Sequence, residues 1–178
     1  MICPTVRGGD CDLGRGLFAL KEFCADERIL ILHGPRFERE DPIHHREEGA
    51  NLLQTGPRTY IMLQEPGVLA NHSCDPNAGI RGNRSMVAIR PIHPGDEIRF
   101  DYSTTMDEGL WTMPCRCGSP RCRGLVTDFH TLPAPVQRRY LDLDIVQAFI
   151  ARRARPRPHR MATLSGADRR IIPSNEDP

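Results

Sequence analysis

Through the first hundred positions apolar and polar residues alternate in short runs punctuated by Gly or Pro, as in a chain built from short strands. The runs at 14–20 (GRGLFAL), 28–34 (RILILHG), 59–64 (TYIMLQ), 85–92 (SMVAIRPI) and 96–102 (DEIRFDY) predict strands. Turn chemistry separates them at Glu65-Pro66-Gly67, Arg81-Gly82-Asn83 and His93-Pro94-Gly95-Asp96. From 105 to 128 the alternation gives way to Cys, Gly, Pro and Arg, a composition that cannot build a core of its own. Over 134–153 the period lengthens: Val136, Tyr140, Leu143, Val146 and Ile150 recur at three- and four-residue steps, with Phe149 beside them. That spacing predicts one amphipathic helix whose apolar stripe packs on the parent domain. Beyond it RRARPRPHR and ADRRIIPSNEDP hold little to bury and predict a mobile tail.

At 178 residues the chain has room for one domain and an appendage. Its 39% hydrophobic and 26% charged residues are those of a folded globular protein. No apolar run approaches the roughly 20 residues that span a bilayer, and MICPTVRGGDCD lacks the basic start and apolar stretch of a secretion signal. A cytoplasmic location follows as the expectation, or a nuclear or host one where the source requires it, with no membrane partner. The net charge of +1 argues against coating nucleic acid, apart from contacts by the Arg-rich tail. Lys21 is the only lysine. Codon bias toward arginine is the plain explanation.

Seven cysteines without a secretion signal make a disulfide framework a poor reading. Cys115, Cys117 and Cys122 form C-x-C-x4-C, and a structural zinc site is four-coordinate, so a fourth ligand must come from elsewhere. Cys74 leads, with His72, His130, Cys3, Cys11 and Cys24 as competitors.

Four segments then fall in order: Gly14-Arg15-Gly16-Leu17-Phe18-Ala19, Asn71-His72-Ser73-Cys74-Asp75-Pro76-Asn77, Gly95-Asp96-Glu97-Ile98-Arg99-Phe100-Asp101-Tyr102, and Cys115-x-Cys117-Gly118-x3-Cys122-Arg123-Gly124. Together they resemble the signatures of SET-domain protein-lysine methyltransferases with a post-SET zinc motif. The resemblance implies a mainly β fold of small curved sheets. In it the Asn-His-Ser-Cys segment and the segment ending in Tyr102 cross in a knot-like way. A post-SET zinc knuckle and a C-terminal amphipathic helix complete the chain. With the periodicity and composition breaks above, the sequence divides into a SET domain at 1–105, the knuckle at 106–128, the helix at 129–155 and the tail at 156–178. The resemblance also implies that Cys74 joins Cys115, Cys117 and Cys122 on one structural zinc.

The same resemblance assigns roles. Gly14, Arg15, Asn71, His72, Arg123, Gly124 and Leu125 fall where the family holds S-adenosylmethionine, with Tyr102 beside the transferred methyl. Tyr102 matches the catalytic tyrosine. Tyr60 is the expected second tyrosine of the lysine channel, although 35–58 is short and the substrate-gripping segment reads as a mere hairpin. Phe100, two residues before Tyr102, should share its face of a strand, and a phenylalanine there implies di- or trimethylation. The expected substrate is an exposed lysine on a histone-like or other basic protein. Two rivals stand beside the enzyme: an inactive zinc-stabilised scaffold and a nucleic-acid-binding zinc module. The oligomeric state is left open.

Overall fold

The computed structural model describes residues 4–45, 47–109 and 111–154. Cys3 and the expected tail at 156–178 lie outside the described residues. The elements run β1 (Val6–Cys11), β2 (Gly14–Ala19), β3 (Arg28–Ile31), β4 (Arg36–Glu38), β5 (Leu52–Gln54), β6 (Thr59–Met62), β7 (Ala78–Arg81), β8 (Ser85–Ala88), β9 (Met113–Pro114), β10 (Leu125–Val126), α1 (Ala134–Asp142) and α2 (Ala148–Ala154). The strands form two ribbons, β1-β2 and β9-β10, and two three-stranded sheets, β3-β8-β7 and β4-β6-β5. Each pairing between these strands is antiparallel.

Alternation explains why SMVA at 85–88 is apolar almost throughout. Met86 and Ala88 point into a first core with Leu17, Phe23, Ile80 and Ile98, while Val87 points the other way into a second core with Phe129, Tyr140, Ile145 and Phe149. The β3-β8-β7 sheet is therefore covered on both faces, the second cover being the C-terminal helices.

Three expectations are corrected. The segment 134–153 is two helices, because Asp144 takes a left-handed backbone (φ 53°) that ends α1. The break lets Ile145 pack against Gly79, where even a Cβ would sit 2.4 Å from it. The segment 35–58 is no hairpin: β4 and β5 flank β6 on opposite sides, joined by two 3-10 turns at Pro42–His45 and Glu47–Asn51. The run 96–102 alternates like a strand but forms no ladder. It changes partner as it goes, with Ile98 N–H donating to Leu17 O (2.7 Å), Arg99 O accepting from Ala78 N–H (3.0 Å) and Phe100 N–H donating to Asn71 O (3.1 Å).

Candidate active site

The partner-switching segment places Tyr102. Phe100 bridges His72 in parallel register, so Asn71–Ser73 and Phe100–Tyr102 lie side by side. Tyr102 opens a 3-10 turn (Tyr102–Thr105) whose N-cap, Asp101, accepts from Ser103 N–H. Its hydroxyl donates to Ala70 O at 3.0 Å, and its ring sits 4.8 Å from that of Phe100 and 5.3 Å from that of His72. Phe100 and Tyr102 are thus neighbours as expected, through a bridge and a turn rather than strand alternation. Burial, helped by the charge of Glu97, pushes the Tyr102 phenol up to about 12, so it stays protonated at neutral pH.

Two cavities share the Tyr102 side chain. One, the narrow one at about 100 Å³, is lined by the rings of Tyr60, Phe100, Tyr102 and Trp111 with Leu53 and Val68, and by the polar side chains of His44, Asn51, Gln54, Thr105 and Glu108. The other, of about 250 Å³, lies between Asn71, His72 and Leu13 on one side and Met113, Pro114, Arg116 and Cys117 on the other. Among the described residues Tyr102 is the one side chain common to both walls. Tyr60 is brought to the narrow cavity as expected, its hydroxyl donating to the Glu108 carboxylate in a short contact. Burial and that carboxylate both push the Tyr60 phenol upward.

In the wider cavity Asn71 uses its amide nitrogen within the protein, donating to Arg15 O and Glu97 Oε1, both at 2.9 Å. Its Oδ1 is left for a ligand. Burial acts to raise Glu97, but Arg99 and Asn71 outweigh it and hold the carboxyl below the usual range. Gly16 permits this approach, since a Cβ there would meet Glu97 Oε1 at 2.7 Å. His72 is buried, and burial lowers it to about 4 against the opposing pull of Asp101. The ring is therefore neutral: Nδ1 accepts from Tyr102 N–H at 3.2 Å, which assigns the proton to Nε2, 3.3 Å from Cys74 Sγ. With both ring nitrogens engaged, only the main chain of His72 can serve a ligand.

Four thiols gather beside this cavity. The Sγ atoms of Cys74, Cys115, Cys117 and Cys122 all lie within 4.8 Å of one another. Cys74 and Cys115 are 3.7 Å apart, close to the roughly 3.8 Å edge of a tetrahedron with metal–sulfur bonds of about 2.3 Å. The set fits a tetrahedral, thiolate-binding metal with no open position. Cys74 is brought to it as expected, and its competitors Cys11, Cys24, His72 and His130 are not part of it.

Other expected contacts fall elsewhere. Gly14, at φ 102° with open space around it, closes the β1-β2 turn, and the Arg15 guanidinium turns outward to Glu65 at 2.7 Å. Gly124 and Leu125 are exposed on the knuckle and line neither cavity. The Arg123 side chain instead reaches into the domain, where it holds Asp101 at 2.7 and 2.9 Å and Ser103 Oγ at 3.3 Å. Burial opposes the Arg123 charge, but Asp101 outweighs it and raises Arg123. Asp101 is 1% exposed and also accepts from the Tyr140 hydroxyl at 2.8 Å. One carboxylate therefore joins the knuckle, the first C-terminal helix and the segment bearing Tyr102. Sequence reasoning missed Asp101, Tyr140, Glu97, Gln54, Glu108 and Trp111. Asp101 and Glu97 stood inside a quoted signature, and an acidic residue beside the expected catalytic tyrosine was the available signal.

The SET domain family matches residues 14–103, half of the chain. The chain belongs to the SET-domain family. It is 35% identical over 91 residues to the methyltransferase flvH of Aspergillus flavus, covering 49% of this chain and 51% of that protein. It is 37% identical over 126 residues to human histone-lysine N-methyltransferase 2B, covering 62% of this chain but 5% of the relative. The chain thus spans about half the length of the first of these curated relatives and a small part of the second. In fold it resembles a humanized Polycomb Repressive Complex 2 of Chaetomium thermophilum, with TM-score 0.52 and 19% identity over 60% of this chain and 16% of the other. A second solved structure, ctPRC2 in an autoinhibited conformation bound to S-adenosylmethionine, matches with TM-score 0.52 and 20% identity over the same shares. The small antiparallel sheets are those of a SET fold, and the cavities lie where its 71–77 and 95–102 signatures come together.

Proposed function

We propose that this SET-domain protein transfers methyl groups from S-adenosylmethionine to the side-chain amine of lysine in a protein substrate. The observation that carries the reading is the meeting at Tyr102 of two cavities, a wider one flanked by Asn71, His72 and Arg116 and a narrower one rich in aromatic rings. Bound in the wide cavity, the donor supplies an electrophilic methyl on a sulfonium. Asn71 Oδ1 would accept from its ammonium, the His72 main chain would meet its polar edge, and Arg116 and Cys117 would close the wall. Zinc on Cys74, Cys115, Cys117 and Cys122 would hold that wall in place.

The narrow cavity suits a slender aliphatic chain, as a lysine stem is. Tyr102 keeps its proton and anchors it on Ala70 O, which fixes the ring and leaves the phenol oxygen as a polar edge where the cavities join. Methyl transfer is an in-line displacement, so the protein contributes position and electrostatic complementarity. The attacking amine must be neutral although free lysine has a pKa of about 10.4. Desolvation among Phe100, Tyr102 and Leu53 favours the neutral form. Phe100 brings no hydroxyl to that wall, which supports room for a second and third methyl.

Incubation with isotope-labelled S-adenosylmethionine and core histones or a whole lysate, followed by mass spectrometry, tests the reading. Label on lysine Nζ is expected. Donor binding without label on any protein would leave the inactive scaffold, and absence of donor binding would remove both.

A further inference from the structure

The narrow cavity that must strip charge from its ligand also carries a carboxylate. Among the described residues Glu108 is the one acidic side chain on its wall and no Lys or Arg lines it, although Arg39 reaches the Glu108 main-chain oxygen at 3.5 Å and His44 packs edge-on to Tyr60; Tyr60, Phe100, Tyr102 and Trp111 supply aromatic faces. An alkylammonium is attracted by both features, through the negative faces of aromatic rings and through direct charge pairing. The carboxylate is held in place from several sides. Tyr60 hydroxyl donates to it, Asp107 N–H donates to Gln54 Oε1 at 3.0 Å just before it, and Gly109 N–H donates to Asp128 just after it. Met106 O accepts from Phe129 N–H at 3.0 Å, tying the same stretch to the second core. Gln54 is 3% exposed and its amide nitrogen has no partner among the described residues, which suits this wall to a polar guest.

We propose that Glu108 is a specificity-determining residue that captures the acceptor in its charged form, selecting alkylammonium groups over neutral chains of the same shape. The assignment rests on the reading of the narrow cavity as the acceptor site. Tyr60 then acts mainly through Glu108, since its proton is spent on that carboxylate. Capture and reaction pull in opposite directions: Glu108 favours the ammonium, and the apolar wall beyond it favours the free amine.

Trp111 is the only tryptophan of the chain and lines the cavity, so its emission reports occupancy without turnover. The protein is titrated at pH 7 with n-butylammonium and with n-butanol. The parent should bind the cation about tenfold more tightly, equivalent to about 1.4 kcal/mol. In Glu108→Gln, which can still accept from Tyr60, the two affinities should agree within about twofold with that for n-butanol unchanged. Glu108→Asp should retain the preference. A preference that persists in Glu108→Gln, or equal losses for both probes, overturns the assignment. Labelled-donor turnover separates the two readings: lysine methylation with a Glu108-independent preference removes this inference alone, and a Glu108-dependent preference with no methyl transfer removes the catalytic reading alone.

Discussion

The two cavities that share Tyr102 are built by different means. The narrow one is walled by β5, β6 and the segment from Phe100 to Glu108, and Leu53, Ile61 and Phe100 belong to the first core. It inherits the stability of the domain. Half of the wide one comes from Met113, Pro114, Arg116 and Cys117, in a stretch whose regular structure is a pair of two-residue strands. That wall is held by the four thiols and by Arg123. On the proposed reading, the acceptor side would be intrinsic to the fold, and the donor side would be conditional on a metal held by the four thiols and on one buried ion pair.

Removing the metal should break this comparison most sharply, because structural zinc binding is worth on the order of 10 kcal/mol. Chelation, or Cys115→Ser, should lower donor affinity by about 10²-fold or more while hydrogen-exchange protection of β7 and β8 stays near the parent value. Equal loss in both regions would show that the two sides are not separable. Arg123→Met comes next, since it strands the buried Asp101 carboxylate, a loss of about 3–5 kcal/mol for a broken buried pair. A fall in Tm of about 6–20 °C is expected, and a change under 2 °C would remove the ion pair as a fastener.

Tyr102→Phe tests the junction itself. Turnover should drop about 10²-fold with donor and n-butylammonium affinities nearly unchanged. The smallest effect is at Phe100→Tyr, where a hydroxyl restricts the narrow cavity without touching the wide one. A mass-spectrometric time course should show products shifting toward monomethyl-lysine, with donor affinity within about twofold. A parent that stops at one methyl with donor in excess would contradict the reading of Phe100.

What was legible in the sequence follows from how local each signal is. Turn residues and alternation located β2, β3, β6 and β8, and the signatures led to Tyr102, Asn71 and the four cysteines that the fold gathers. Periodicity failed where the partner was distant. Residues 96–102 alternate because Ile98 and Phe100 are buried, yet their hydrogen bonds go to three different segments, which a period of two cannot reveal. Helical spacing runs through Asp144 because Ile145, Val146 and Ile150 all face the second core across the break. Glu108 stood in the stretch assigned to the zinc knuckle, and only the fold places its carboxylate against Tyr60, 48 residues earlier.

The Asp101 carboxylate carries a kinetic consequence. Its fasteners are remote in sequence, 22 residues to Arg123 and 39 to Tyr140, while Cys74 and Cys115 are separated by 41. The β1-β2 and β7-β8 hairpins, by contrast, close over short loops. Loop-closure entropy must be spent before distant contacts give any return. The hairpins therefore form first, and the segment that bears Tyr102 is among the last to become native. A refolding experiment should recover β structure before donor binding, with the delay shortened when zinc is present to clasp the two ends of the longest of these loops.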